Sequence, residues 1–298
     1  MKNCVFKGVG TAIITPFDCG CVDYVAFGIL IERQIRAGAD AIIVLGTTGE
    51  PCTVSEFERE QIITYAIKKV NGKAKVIVGC GANNTALAQK HYVMAQKLGA
   101  DGALIVTPYY NKCTQEGLIE HYSAISAVGD LPIIVYNVSA RTGVNILPET
   151  MQKLCEIKNV CGVKEASGNI GQILEYFRLV GDKIAIYCGE DALNGIFMLL
   201  GGAGVISVAS NIVPALVKKV CDLSKKSVEE MNKLQMNMQP LIRALFLEVN
   251  PIPAKAGLAY LGMCKNELRL PLTNMTDKNF DTLKAEIDKL MELENDCC

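Results

Sequence analysis

A lysine stands where a strand-like run should carry a hydrocarbon side chain. Lys164 lies inside NVCGVKEAS (159–167), and burying an ammonium lowers its pKa, which raises the fraction of free amine able to attack a carbonyl. That is the requirement of Schiff-base catalysis. The same lysine could instead pair with Glu165 or another carboxylate, or run its stem out to the rim. Tyr136, 28 residues earlier, gains meaning from it, because forming and dehydrating a carbinolamine needs a group that moves protons, and a phenol can do so. Taken alone it reads as a packed tyrosine. Arg141, in NVSARTG (137–143), could fork onto a substrate carboxylate or pair with a surface acid; its place just after a strand end favours binding.

GTTGE (46–50) adds two hydroxyls, Thr47 and Thr48, and flexible backbone amides suited to a small carboxylate. As a bare motif it is weak, since Gly/Thr turns commonly just close loops. Tyr109, Tyr110 and Glu190, the last directly after Gly189, also break apolar runs. His91 and His121 fall in helical patterns without HExxH or acid-partner spacing. Both read as structural, and no metal site is expected.

These groups need elements to hold them. Eight short, nearly continuous apolar runs occur at 9–16, 41–46, 75–80, 102–108, 132–138, 160–166, 183–189 and 203–210, as expected of parallel strands covered on both faces. Between them lie amphipathic stretches such as 55–70 and 85–100, opening on Ser55 and Thr85 as caps. The alternation predicts an α/β fold, a (β/α)8 barrel; an open doubly wound sheet shares its local signals. In a barrel the polar strand ends would ring one mouth, and the spacings agree: 28 residues from Tyr136 to Lys164 and 62 from Thr48 to Tyr110 are close to one and two repeats. After Asn211 the strand signal stops, and 212–224, 227–246, 252–262 and 276–295 read as helices, the last with Thr276 as cap. We expect a barrel over 1–224 and a helical extension over 225–298 packed on it, either structural or making subunit contacts.

A chain of 298 residues, half hydrophobic, can bury a large core, and its formal charge of −1 offers no attraction to nucleic acid or anionic membranes. A small-molecule partner is expected. No signal-peptide-like or membrane-length apolar run occurs, so the expected location is cytoplasmic. The thirteen cysteines are scattered without a CxxC pair and read as reduced core fillers, with Cys19/Cys21 and Cys297/Cys298 the pairs that could differ.

With these residues identified, the whole chain resembles the dihydrodipicolinate synthase/N-acetylneuraminate lyase family. The match runs through GTTGE (46–50), VGCGANNT (78–85), TPYYNKCTQEG (107–117), YNVSARTG (136–143), GVKEASGN (162–169) and NPIPAKAGL (250–258). The resemblance implies that Lys164 forms a Schiff base with pyruvate, that Tyr136 is the central proton-transfer residue, and that Thr47 and Tyr110 complete a hydroxyl relay. It further implies that Thr48 holds the pyruvate carboxylate, that Arg141 receives the aldehyde substrate, and that Gly189 and Ile206 line the pocket through their backbone. The implied acceptor is L-aspartate 4-semialdehyde, no metal or other cofactor is required, and the implied assembly is a homotetramer in which Tyr110 reaches a neighbour's site. Sialic-acid lyases of the family carry Ser-Thr in the first motif, so Thr47, Thr48 and Arg141 side with the synthases. Where lysine-inhibited members use a histidine and a glutamate to bind free lysine, this chain has Glu56 and Leu87, with Arg59 nearby and Asn83 and Tyr109 retained. Weak or absent feedback by L-lysine is the expectation. The readings that compete are a lyase of sialic acid or a keto-deoxy sugar acid, a phosphate-binding barrel, and a barrel that binds without turnover; against the second, GGAG (201–204) precedes the eighth strand instead of following it.

Overall fold

The computed structural model describes residues 4–297. Its strands are β1 (Gly8–Ala12), β2 (Phe17–Asp18), β3 (Cys21–Val22), β4 (Ala41–Val44), β5 (Lys75–Gly79), β6 (Gly102–Val106), β7 (Ile133–Asn137), β8 (Val160–Glu165), β9 (Ala185–Cys188) and β10 (Gly204–Ser207). Eight of them pair in parallel in the ring β1-β10-β9-β8-β7-β6-β5-β4, and β1 joins both β10 and β4. That closure decides for the barrel over the open sheet, which the local sequence pattern could not do. The antiparallel hairpin of β2 and β3 was not anticipated, because strands of two residues leave no periodicity to read.

Alternate residues divide the strands into two faces. One set, including Ala12, Ala41, Ile43, Ile77, Leu104, Ile134, Tyr136 and Ile206, fills the barrel interior, where Phe6 stacks on Tyr187 at 4.5 Å. The other set, including Val9, Ile42, Val44, Val76, Val78, Val135 and Val163, packs against the surrounding helices. The continuous apolar runs follow from both faces being buried.

Of the three caps read from the sequence, Ser55 forms as expected and Thr85 and Thr276 do not. Ser55 accepts from Glu58 N while the Glu58 carboxylate accepts from Ser55 N, a reciprocal box that opens the helix Glu56–Val70. The helix Thr85–Leu98 is capped by Asn84 and not by Thr85, whose hydroxyl lies 3.0 Å from His121 Nδ1. Thr276 occupies the cap position of Asp277–Asn295 but donates its hydroxyl to Glu248.

The C-terminal helices Val228–Ala244, Ile252–Tyr260 and Asp277–Asn295 share the outer core through Met231, Met238 and Leu241, through Ile252 and Leu258, and through Leu283 and Ile287. The carboxylate of Glu294 accepts from Ala215 N and Leu216 N, tying the last helix to the start of Pro214–Leu223.

Arg269 ties the same C-terminal region to the second barrel unit, donating to the Glu58 carboxylate and to Thr53 O at 2.8 Å, and to the β2–β3 hairpin through Gly20 O at 2.7 Å. Its guanidinium holds the Glu58 carboxyl down at about 2, against an ordinary value of 4.5. A carboxyl whose pKa is depressed on folding stabilises the fold fully above its unfolded value, and loses that contribution as pH falls through its folded value. Urea denaturation from pH 6 downward is therefore expected to show stability declining between about 4.5 and about 2. Glu58→Gln should be less stable at pH 6 and flatter across that window. An unchanged slope in the variant would remove Glu58 as a source of the decline.

Candidate active site

Lys164 and Tyr136 are register partners on neighbouring strands, and the Lys164 Nζ lies 4.2 Å from the centre of the Tyr136 ring. Lys164 is 5% exposed. The alternative pairing with Glu165 does not occur. Glu165 faces the other side of β8, where its carboxylate accepts from Ser167 N at 2.7 Å and from Asn137 Nδ2 at 2.8 Å. Burial raises the Glu165 carboxyl. The reason is the strand's alternation: one residue enters the barrel and the next leaves it.

Gly189 makes room for the lysine. A Cβ there would sit 2.8 Å from Lys164 Cε and 2.9 Å from Ala166 Cβ, so any side chain would displace the amine. Glu190, next in sequence, is half-buried; burial and then Asp191 raise its carboxyl, while Lys164 pulls the other way. Ile206 is buried in the interior cluster, in register with Gly10 of β1.

Tyr136 also lines a cavity of about 530 Å³, together with Thr47, Arg141 and Asn250 among others, whereas Lys164, Thr48, Gly189, Ile206 and Tyr110 do not form its wall. Thr47 begins a short 3-10 turn, Thr47–Gly49, held by the hydroxyl of Thr15 on Gly49 O at 2.8 Å. The approach is close: a Cβ on Gly79 would fall 1.9 Å from the carbonyl oxygen of Leu45, so only glycine lets β5 pass the start of the GTTGE loop. Thr48 is buried and accepts from Asn250 Nδ2 at 3.0 Å. Arg141 stands on the short helix Ser139–Thr142 and donates from Nη2 to the carbonyl of Asn250 at 3.0 Å, not to a surface acid. The segment carrying it is pinned by Asn137, whose amide bridges Glu165 and Asn145 while its oxygen accepts from Ile146 N.

Tyr110 does not join Tyr136 and Thr47 within this chain. It is 88% exposed, with a left-handed φ of 74° that a tyrosine rarely adopts.

Sequence reasoning gave no role to three residues around the turn. Glu50, in left-handed conformation just after Thr47–Gly49, forms a fully buried ion pair with Lys255 and accepts from Arg269 N. Asn250 joins Thr48 to Arg141. A signal for Lys255 was present, since a lone charge in IPAKAGLAY is as anomalous as Lys164 in its strand. For Asn250 there was none beyond the motif itself.

The far side of the cavity is lined by Glu56, Arg59, Leu87, His91 and Tyr109. His91 Nε2 lies 2.8 Å from Glu56 Oε1, and Lys90 Nζ lies 3.1 Å from Glu56 Oε2. Arg59 is buried and donates to Gly79 O, and burial lowers its pKa. Both histidines have structural partners; burial pushes His121 down to about 4. Among the described residues, no three His, Cys, Asp or Glu side chains gather to hold a metal ion, and no helix is long and apolar enough to cross a membrane. Cys19, Cys21 and Cys297 are free thiols, while Cys298 lies outside the described residues.

The model of the dihydrodipicolinate synthetase family matches residues 5–290. The 4-hydroxy-tetrahydrodipicolinate synthase of Alkaliphilus oremlandii is 48% identical over 286 residues, covering 96% of this chain and 99% of that protein. The crystal structure of the chloride-inhibited dihydrodipicolinate synthase of Acinetobacter baumannii complexed with pyruvate superposes with a TM-score of 0.93 at 39% identity, over 95% of this chain and 98% of that one. The dihydrodipicolinate synthase of Cyanidioschyzon merolae with lysine bound gives 0.93 at 38% identity, over 96% and 99%.

Proposed function

This chain belongs to the dihydrodipicolinate synthetase family, and from that premise we propose that it condenses pyruvate with L-aspartate 4-semialdehyde to 4-hydroxy-tetrahydrodipicolinate, a lyase step toward diaminopimelate and lysine. The observation that carries this reading is the buried Lys164 amine against the Tyr136 ring, with Gly189 leaving the space around it.

The Lys164 Nζ attacks C2 of pyruvate, and the carbinolamine loses water as Tyr136 passes protons, relayed through Thr47 and a neighbouring subunit's Tyr110. Loss of a C3 proton from the imine gives an enamine, whose C3 forms a bond to the aldehyde carbon. The amino group of the adduct then displaces Lys164, closing the ring and restoring the free amine. The imine itself is the electron sink, so the scheme requires no metal or prosthetic group. Thr48 holds the pyruvate carboxylate, Arg141 the carboxylate of the aldehyde, and the backbone at Gly189 and Ile206 completes the wall.

The assembly we propose is a homotetramer. Exposed apolar side chains support it: Tyr110, and Ile170, Leu174, Ile196 and Leu199 on the helices after β8 and β9. We divide the chain at 224/225 into barrel and helical extension, and place the enzyme in the cytoplasm.

Product analysis with pyruvate and each candidate acceptor, and with N-acetylneuraminate alone, tests the substrate assignment. Turnover confined to L-aspartate 4-semialdehyde is expected; release of pyruvate from N-acetylneuraminate at a comparable rate would overturn it.

Feedback by L-lysine is expected to be weak or absent. Leu87 offers no carboxylate to an ammonium, Glu56 already faces His91 and Lys90, and the buried Arg59 guanidinium repels a second cation. Activity assayed against added L-lysine checks this, and strong inhibition at submillimolar concentration would reject it.

A further inference from the structure

Asn250 stands where the two carboxylate-binding groups meet, far from both in sequence. It lies between the helices Val228–Ala244 and Ile252–Tyr260, is buried, and lines the cavity. It reaches the site with two different atoms. The side-chain Nδ2 donates to Thr48 Oγ1 at 3.0 Å, and the main-chain carbonyl accepts from Arg141 Nη2 at 3.0 Å. Its side-chain oxygen is buried without a partner among the described residues, so the side chain's directed interaction is the bond to Thr48.

A hydroxyl has one proton and two lone pairs. With a lone pair held by an amide N–H, the Thr48 proton is left to point elsewhere, and a fixed O–H donor suits a carboxylate well. A threonine without that partner would rotate, and its proton would point toward the substrate only part of the time.

We propose that Asn250 is a positioning residue: its amide fixes Thr48 as a donor toward the pyruvate carboxylate, while its backbone carbonyl independently sets Arg141 for the second substrate. The inference rests on the roles given to Thr48 and Arg141 above. Because the two links leave from different atoms, a side-chain substitution separates them.

The experiment is steady-state kinetics on Asn250→Ala, Asn250→Asp, Thr48→Val and the double variant Asn250→Ala/Thr48→Val, with thermal midpoints and borohydride trapping of wild type with pyruvate. Asn250→Ala is expected to raise the KM for pyruvate about three- to tenfold, as the loss of one hydrogen bond implies, and to leave that for L-aspartate 4-semialdehyde within about twofold. Asn250→Asp should be worse, because its carboxylate accepts the Thr48 proton and repels the substrate anion. The double variant should bind pyruvate no more weakly than Thr48→Val alone, since both changes remove one interaction.

An unchanged pyruvate KM in Asn250→Asp would show that neither the direction of the Thr48 proton nor charge at residue 250 bears on pyruvate, and the proposal fails. It also fails if Asn250→Ala shifts both KM values together with the thermal midpoint, which marks a purely structural role. Absence of a pyruvate adduct on wild-type Lys164 would remove the reading of the whole site. A normal adduct with unaltered kinetics in the variants would remove only the role of Asn250.

Discussion

Lys164→Ala is expected to abolish the pyruvate adduct trapped by borohydride and to lower kcat by about a thousandfold or more, the scale on which covalent nucleophiles act. Intact-protein mass spectrometry reads the adduct, and peptide mapping places it. The geometry makes the expectation specific: the amine is buried on the Tyr136 ring, and the neighbouring acid Glu165 faces out of the barrel toward Asn137 and Ser167. Lys164→Arg separates bulk from chemistry, because it keeps a long basic side chain in the same place and cannot form the imine; it should be as inactive as the alanine variant. Tyr136→Phe should behave differently, forming the adduct slowly with kcat reduced by roughly 10²–10⁴, since it removes proton transfer and leaves the nucleophile. A wild-type-sized adduct in Lys164→Ala would move the nucleophile to another residue and undo the assignment.

What could be read in the sequence divides along a physical line. The barrel was legible because both faces of each strand are buried, which leaves long apolar runs in which a charged or phenolic residue is conspicuous; Lys164 and Tyr136 stood out for that reason. The closing of the ring was not, since it depends on β1 meeting β10, a contact between residues nearly 200 positions apart. Nor were the supports of the GTTGE turn. Thr48 is held by Asn250 and Glu50 by Lys255, both from the C-terminal helical region, and no spacing rule connects two segments that far apart. Tyr110 shows the limit from the other side: its place in TPYYN marked it, but one chain leaves it 88% exposed, and its proposed use requires a second subunit.

Lys255→Met is expected to destabilise the fold by about 3–5 kcal/mol, the effect of leaving one member of a buried ion pair without its partner. Both side chains are shut away from solvent, 0% and 1% exposed, and burial lowers the Lys255 pKa against the raising effect of Glu50. The lysine also lies 4.2 Å from the Phe17 ring, and a methionine there keeps an apolar contact with that ring. In the variant, Glu50 retains only the Arg269 N–H as a donor at 3.2 Å among the described residues. A carboxylate in that state either takes up a proton or drags its backbone toward water, and that backbone is the left-handed residue ending the Thr47–Gly49 turn. Activity is therefore expected to fall with stability, through Thr47 and Thr48, although Lys255 touches no substrate. Adding Glu50→Gln to Lys255→Met should recover most of the lost stability, because a neutral amide still accepts from Arg269 and no longer needs a cation. Urea denaturation at equal protomer concentration for the two single variants and the double measures this. If Lys255→Met lost under about 1 kcal/mol, within the range of ordinary surface changes, the pair would not be what holds the turn, and the position of Thr47 and Thr48 would have to come from the Thr15 and Asn250 contacts alone.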